Sequence, residues 1–214
     1  MRKDKPITQK KRPAGNTRDR LLKEAIRLFS KYGYHGVSVD RIVAATKVNK
    51  RMVYHYFGNK ESLYRAALLE VYQPLELLEL AIFEKEQTPE EALRSILIRY
   101  FEFLANNHEF VNLLLWENLN EGRAIRKHSH LLTKNPVITR LEEVIAEGKK
   151  SGIFDRSVDA KHLLINFIGL CFIYHSNRYT LSQALEIDLG DDRVRKDGLE
   201  QALHLVFNGI RAEQ

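Results

Sequence analysis

The sequence holds one cysteine, Cys171, so no intrachain disulfide can form. That fits a reducing compartment and excludes a disulfide-stapled scaffold. Glycine and proline are scarce, 11 and 5 in 214 residues, which favours helices. Long apolar runs are missing too. The longest, Leu163 to Tyr174, is broken by Asn166 and is too short to span a bilayer. Residues 1–20 lack the apolar stretch of a secretory leader. No segment alternates apolar and polar residues as a half-buried strand does. There is no glycine-rich phosphate loop, nucleophile–base pair or metal-ligand cluster, so nothing points to an enzyme or a cofactor. His128 and His130 are spaced closely enough to suggest a metal, but no carboxylate or thiol stands at convincing spacing beside them. These absences predict a soluble, cytoplasmic, all-α protein without catalysis.

What is present is unevenly charged. Residues 1–65 carry 17 Lys/Arg against 5 Asp/Glu, whereas residues 66–214 carry 17 against 23. A basic N-terminal third on an acidic body suggests local binding to a polyanion, although a basic tail also aids solubility. Residues 1–16 read as a disordered basic arm, polar and with two prolines. Such an arm either lies along phosphates or is an unstructured leader with no defined contact.

The spacing predicts a first helix over 17–32, with Leu21, Leu22, Ala25, Ile26, Leu28, Phe29 and Tyr32 on one face and Gly33 ending it. Ser38 suits the N-cap of a short second helix. Val37 and Ile42 take the positions of a hydrophobic staple, and Asp40 sits in the first turn. After a tight turn at Thr46-Lys47-Val48, Asn49 caps a third helix and Val48 with Val53 repeats the staple spacing. Two capped helices across so short a turn make a helix-turn-helix. A fourth helix follows Asn59, and Pro74 is either an internal hinge or that helix's end. Thr88-Pro89-Glu90-Glu91 reads as a capping box. Asn135-Pro136 starts another helix, closed by Gly148 or Gly152, and Asp159 opens a very apolar one running to Tyr174. Residues 182–198 read as a polar loop before a last helix over 199–210.

With Val53 facing the core, a hundred-degree step per residue turns Arg51 and His55 outward, flanked by Met52 and Tyr54, with Lys50 near the start. Arginine can bond guanine bidentately and methionine can touch a thymine methyl. Lys50, Tyr54 and His55 can reach phosphates, which position without specifying. The helix starts at Ser38 and Asn59 offer free amides for phosphate, with Lys60 beside the second. A merely solvated basic face is the plain alternative.

The ordered series Ala25-x-x-Leu28-Phe29, Gly33-Tyr34, Ser38-Val39-x-x-Ile42, Val48-Asn49, Tyr54-x-x-Phe57 and Lys60-x-x-Leu63 resembles the DNA-binding domain of the tetracycline-repressor (TetR) family over 17–68. The resemblance implies an N-terminal helix-turn-helix DNA-binding domain over 17–64. It also implies a C-terminal helical effector-binding and dimerisation domain over 65–214. The implied activity is repression of a palindromic operator, relieved by a small-molecule effector. The implied DNA contacts are Ser38, Lys50, Arg51, Tyr54, His55 and Lys60. Lys47 departs from the usual glycine of the turn, so a residue with a side chain is expected at positive φ there. Met52 departs from the usual small residue.

The implied homodimer would pair through the last two long helices. Its candidate interface residues are Phe167, Leu170, Phe172, Leu199, Leu203, Val206 and Phe207, whose alternative place is the core of one subunit. The helix 163–174, apolar nearly all round, is expected to be buried on more than one side. Polar and aromatic residues within apolar helices are the effector candidates: Asn112, Trp116, Arg123, Cys171, Tyr174, His175 and Tyr179. Each is equally compatible with ordinary core. A body that answers a protein partner instead of a small molecule stays open.

Overall fold

A computed structural model describes residues 17–80, 88–126 and 136–212. The basic arm 1–16, the pair His128 and His130, and Asn135 lie outside these residues. The described residues form eleven helices: α1 (Thr17–Tyr32), α2 (Val39–Thr46), α3 (Lys50–Phe57), α4 (Lys60–Leu80), α5 (Pro89–Asn106), α6 (His108–Leu119), α7 (Arg123–Arg126), α8 (Pro136–Lys150), α9 (Ala160–Ser176), α10 (Arg178–Leu185) and α11 (Asp192–Ile210). Among the described residues the only extended pairing is an isolated antiparallel bridge, Phe154 with Arg211. The chain divides into two compact units at Ala67–Leu68. Helix α4 runs through that division and continues past Pro74, so Pro74 is internal and not the helix end. Proline lacks the N–H that would bond one turn back, which removes one rung of the helix there.

In the N-terminal unit, α1, α2 and α3 pack on one another. Leu21, Ala25, Phe29, Ile42, Val53, Leu63 and Ala67 are fully buried, and Phe29 meets Tyr64 edge-on at 5.0 Å. The predicted start signals are all used. Ser38 Oγ accepts from the Arg41 N–H at 3.1 Å, Asn49 Oδ1 from the Arg51 N–H at 2.9 Å, and Asn59 Oδ1 from the Ser62 N–H at 2.8 Å. Each bond satisfies an amide that has no partner inside its helix. The staple residue Val37 is buried with Ile42.

In the C-terminal unit, α5 is the central helix and touches α6, α8, α9 and α11. It buries Ala92, Leu93, Ile96, Leu97, Tyr100, Phe101, Phe103 and Leu104, and the capping box of Thr88 with Glu91 starts it. Helix α9 packs against α5, α6, α8, α10 and α11. Its most buried residues are Leu163, Phe167 and Cys171, four residues apart, while Ile165 and Ile173 are 61% and 42% exposed in the single subunit. One expectation is overturned: the stretch 182–198 is not a continuous loop, because α10 runs to Leu185 and α11 begins at Asp192. The Asp191 carboxylate accepts from the amides of Arg193 and Val194, so the Gly-Asp-Asp run is a helix start and not an extended turn. Between the helices Leu189 is buried, its N–H bonded to Ser182 Oγ at 3.0 Å. Gly148 lies inside α8 because Phe154 packs on it; a Cβ there would meet the ring at 2.0 Å.

Candidate nucleic-acid interface

The head presents α3 with Val53 and Phe57 inward. Arg51, Tyr54 and His55 are exposed and Met52 is half-buried, the outward set that the helical step predicts. Tyr54 is 49% exposed, high for a tyrosine on a packed helix. The turn before α3 is built with care. Lys47 holds φ 55° and ψ 32°, the left-handed conformation expected of it. The Arg20 guanidinium reaches from α1 to donate to the Thr46 carbonyl at 2.7 Å, satisfying a helix-end acceptor next to that strained residue. Thr46, itself buried, turns its hydroxyl back to the Ile42 carbonyl at 3.1 Å.

Cations surround this face in distinct states. Lys60 is half-buried over the Tyr34 ring at 4.2 Å, and burial lowers its pKa. Arg41 stacks over Tyr32 at 3.8 Å. Lys50, at the start of α3, places Nζ 2.7 Å from Asp40 Oδ1 on α2, and this bond holds the ammonium pKa above its ordinary value. Ser38 is exposed, and its hydroxyl is the α2 cap. Sequence reasoning missed Arg20, and it missed Asp40 as a partner of Lys50. Both contacts join different helices, and no local spacing announces them.

The body contains the effector candidates, but not as one group. Asn112, Arg123 and Tyr179 lie on the surface, Tyr179 at 77% exposure. Trp116, Tyr174 and His175 are half-buried and Cys171 is fully buried. Phe101 joins two of them, its ring 6.3 Å from Tyr174 and 5.7 Å from His175. Burial, with nearby Arg195, His108 and Arg178, lowers the His175 pKa to about 4, and its Nε2 is buried without a partner. Burial pushes the Cys171 thiol up to about 12, so it is an unreactive packing group. Three interior polar residues escaped the sequence reading. Tyr72 packs edge-on against Phe110 at 4.9 Å, and burial together with the Glu117 carboxylate raises its phenol to about 12. Tyr100 is raised by burial, with smaller contributions from Cys171 and Tyr72, which places the three near one another. Glu117, 2% exposed, accepts from the Ala124 and Ile125 amides at 3.2 Å each. Among the described residues no group of three or more His, Cys, Asp or Glu is arranged to hold a metal, and no helix is long and apolar enough to cross a membrane.

Of the interface candidates, Phe167, Leu199, Leu203, Val206 and Phe207 occupy the body's own core, their alternative place, while Leu170 and Phe172 are half-buried. The apolar surface left open on α9 and α11 belongs to Ile165, Ile173 and Leu205, the last 60% exposed.

Residues 21–67 match the family described as "Bacterial regulatory proteins, tetR family", and residues 89–206 match "Tetracyclin repressor-like, C-terminal domain". The chain is 34% identical over 199 residues to the HTH-type transcriptional repressor NicS of Pseudomonas putida, covering 92% of this chain and 94% of NicS. The fold is similar to that of the ketosteroid transcriptional regulator KstR2 of Mycobacterium tuberculosis, with TM-score 0.69, 20% identity, and 94% and 97% of the two chains covered. It is also similar to the transcriptional regulator FadR of Bacillus subtilis solved in complex with stearoyl-CoA, with TM-score 0.66, 23% identity, and 90% and 99% covered. With both its helix-turn-helix unit and its helical body matched, the chain belongs to the TetR family of DNA-binding transcriptional regulators.

Proposed function

We propose that the protein is a cytoplasmic homodimeric repressor that holds a two-fold symmetric operator and releases it when a small molecule binds the body. The observation that carries this reading is the outward face of α3, where Arg51, Tyr54 and His55 stand exposed on a helix whose other face is core. On that reading Arg51 specifies a guanine and Met52 a neighbouring methyl. Lys50, Tyr54, His55 and Lys60 hold phosphates together with the free amides at the helix starts after Ser38 and Asn59. Homodimerisation is supported by the apolar residues Ile165, Ile173 and Leu205, exposed in one subunit. Two heads related by a two-fold axis would read two half-sites. An effector is supported by polar groups inside an aromatic body, Tyr72, Tyr100 and Glu117, and by the relative FadR, which was solved with stearoyl-CoA.

Selection of duplexes from a randomised pool tests the DNA reading. Enrichment of an inverted repeat is expected; no enrichment, or a single unrepeated half-site, would contradict it. A thermal-shift panel of small metabolites tests the effector. A ligand present at a hundred times its Kd stabilises by about 2.7 kcal/mol and raises the Tm. A panel without any shift would favour a body that answers a protein partner.

A further inference from the structure

Lys50 and Asp40 stand on different helices of the head, each in a first turn. The two places are electrostatically unequal. The N-terminal end of a helix favours an anion, so Asp40 is well placed on α2 and Lys50 is poorly placed on α3. The 2.7 Å contact from Lys50 Nζ to Asp40 Oδ1 offsets that misplacement, and both side chains are open to solvent, 46% and 68% exposed. A carboxylate oxygen at this distance engages the ammonium as a phosphate oxygen would.

We infer that Asp40 is an affinity-setting residue of the DNA head, which weakens phosphate binding by holding Lys50 in an internal ion pair. The inference rests on the reading of α3 as the DNA-facing helix. Binding to random sequence comes almost entirely from phosphate contacts and the counterions they release. For Lys50 such a contact exchanges one anion for another, so a non-cognate duplex gains little from it. A cognate duplex also gains the base contacts of α3, which Asp40 leaves untouched. Asp40 therefore subtracts the same amount from random and from specific binding, and lowers both affinities by one factor.

The test uses the full-length protein, a short random-sequence duplex, and a duplex selected from a randomised pool. Fluorescence anisotropy is followed over a series of KCl concentrations. Asp40→Asn is expected to tighten random-duplex binding by roughly two- to fivefold, the range that an exposed ion pair is worth. It is also expected to steepen the slope of log K against log salt by about 0.9, one additional phosphate. The selected duplex gains by the same factor, so the ratio of selected to random affinity is unchanged; a gain confined to one duplex would overturn the inference. In a Lys50→Gln background the effect of Asp40→Asn disappears. Unchanged random-duplex binding in Asp40→Asn overturns the inference. So does an equal gain in the Lys50→Gln background, which would make Asp40 a source of bulk repulsion only. Arg51→Ala reports on the DNA-facing reading separately: if it leaves selectivity intact, that reading fails, whatever Asp40 does.

Discussion

Lys47 offers the sharpest perturbation of the head. Its φ of 55° and ψ of 32° put an L-residue in the left-handed region at the turn between α2 and α3. That conformation costs roughly 1–2 kcal/mol for a residue with a Cβ and nothing comparable for glycine. Glycine returns roughly 0.4–1 kcal/mol of this through the greater freedom of the unfolded chain. Lys47→Gly is therefore expected to stabilise the head by about 0.5–1 kcal/mol. Asparagine, which tolerates the left-handed region, should fall between lysine and glycine. A β-branched valine should be the worst, because its branched Cβ crowds the backbone at positive φ. Chemical denaturation of the three variants and the wild type, followed by circular dichroism, is expected to give the stability order Gly, Asn, Lys, Val. Lys47 is exposed, so packing does not compete with the backbone term. Valine matching glycine would refute the argument from backbone strain.

Gly148→Ala would drive a Cβ into the Phe154 ring, a contact of 2.0 Å, and overpacking of this kind costs typically 1–3 kcal/mol in denaturation; a neutral result would mean that the ring moves freely. His175, with its pKa lowered to about 4, binds its proton more weakly folded than unfolded. Stability is therefore lost as pH falls from about 6.5, the ordinary histidine value, toward 4, and this contribution is flat below that. His175→Phe should flatten the stability profile in that window and leave it unchanged above it. Arg20→Ala should weaken the head by about 1 kcal/mol, because the Thr46 carbonyl loses its 2.7 Å donor, measured by the same denaturation. Arg20→Lys should restore part of that loss.

Much of the head was legible because its signals are local. Ser38, Asn49 and Asn59 cap through bonds reaching only two or three residues ahead, and the staple at Val37 lies five residues from Ile42. The left-handed Lys47 was legible only through the resemblance, which has glycine as the usual residue of that turn. The Arg20–Thr46 and Asp40–Lys50 contacts were not, since they join helices whose relative placement only the fold supplies. In the body, periodicity marked α5, α8 and α9 but not which faces meet. Phe167, Leu203 and Phe207 are apolar and well spaced for an interface, yet they fill the subunit's own core, while Ile165 and Leu205 stay exposed. The Gly190-Asp191-Asp192 run misled because the same residue types make loops and start helices, and only the Asp191 cap bonds distinguish the two.

The central claim is that α3 reads base sequence, and Arg51 tests it most directly. The ratio of affinities for a selected and a random duplex should fall in Arg51→Ala by roughly five- to 150-fold, the 1–3 kcal/mol of a bidentate base contact, while random-duplex binding weakens only modestly. A variant that keeps the wild-type ratio would contradict the account.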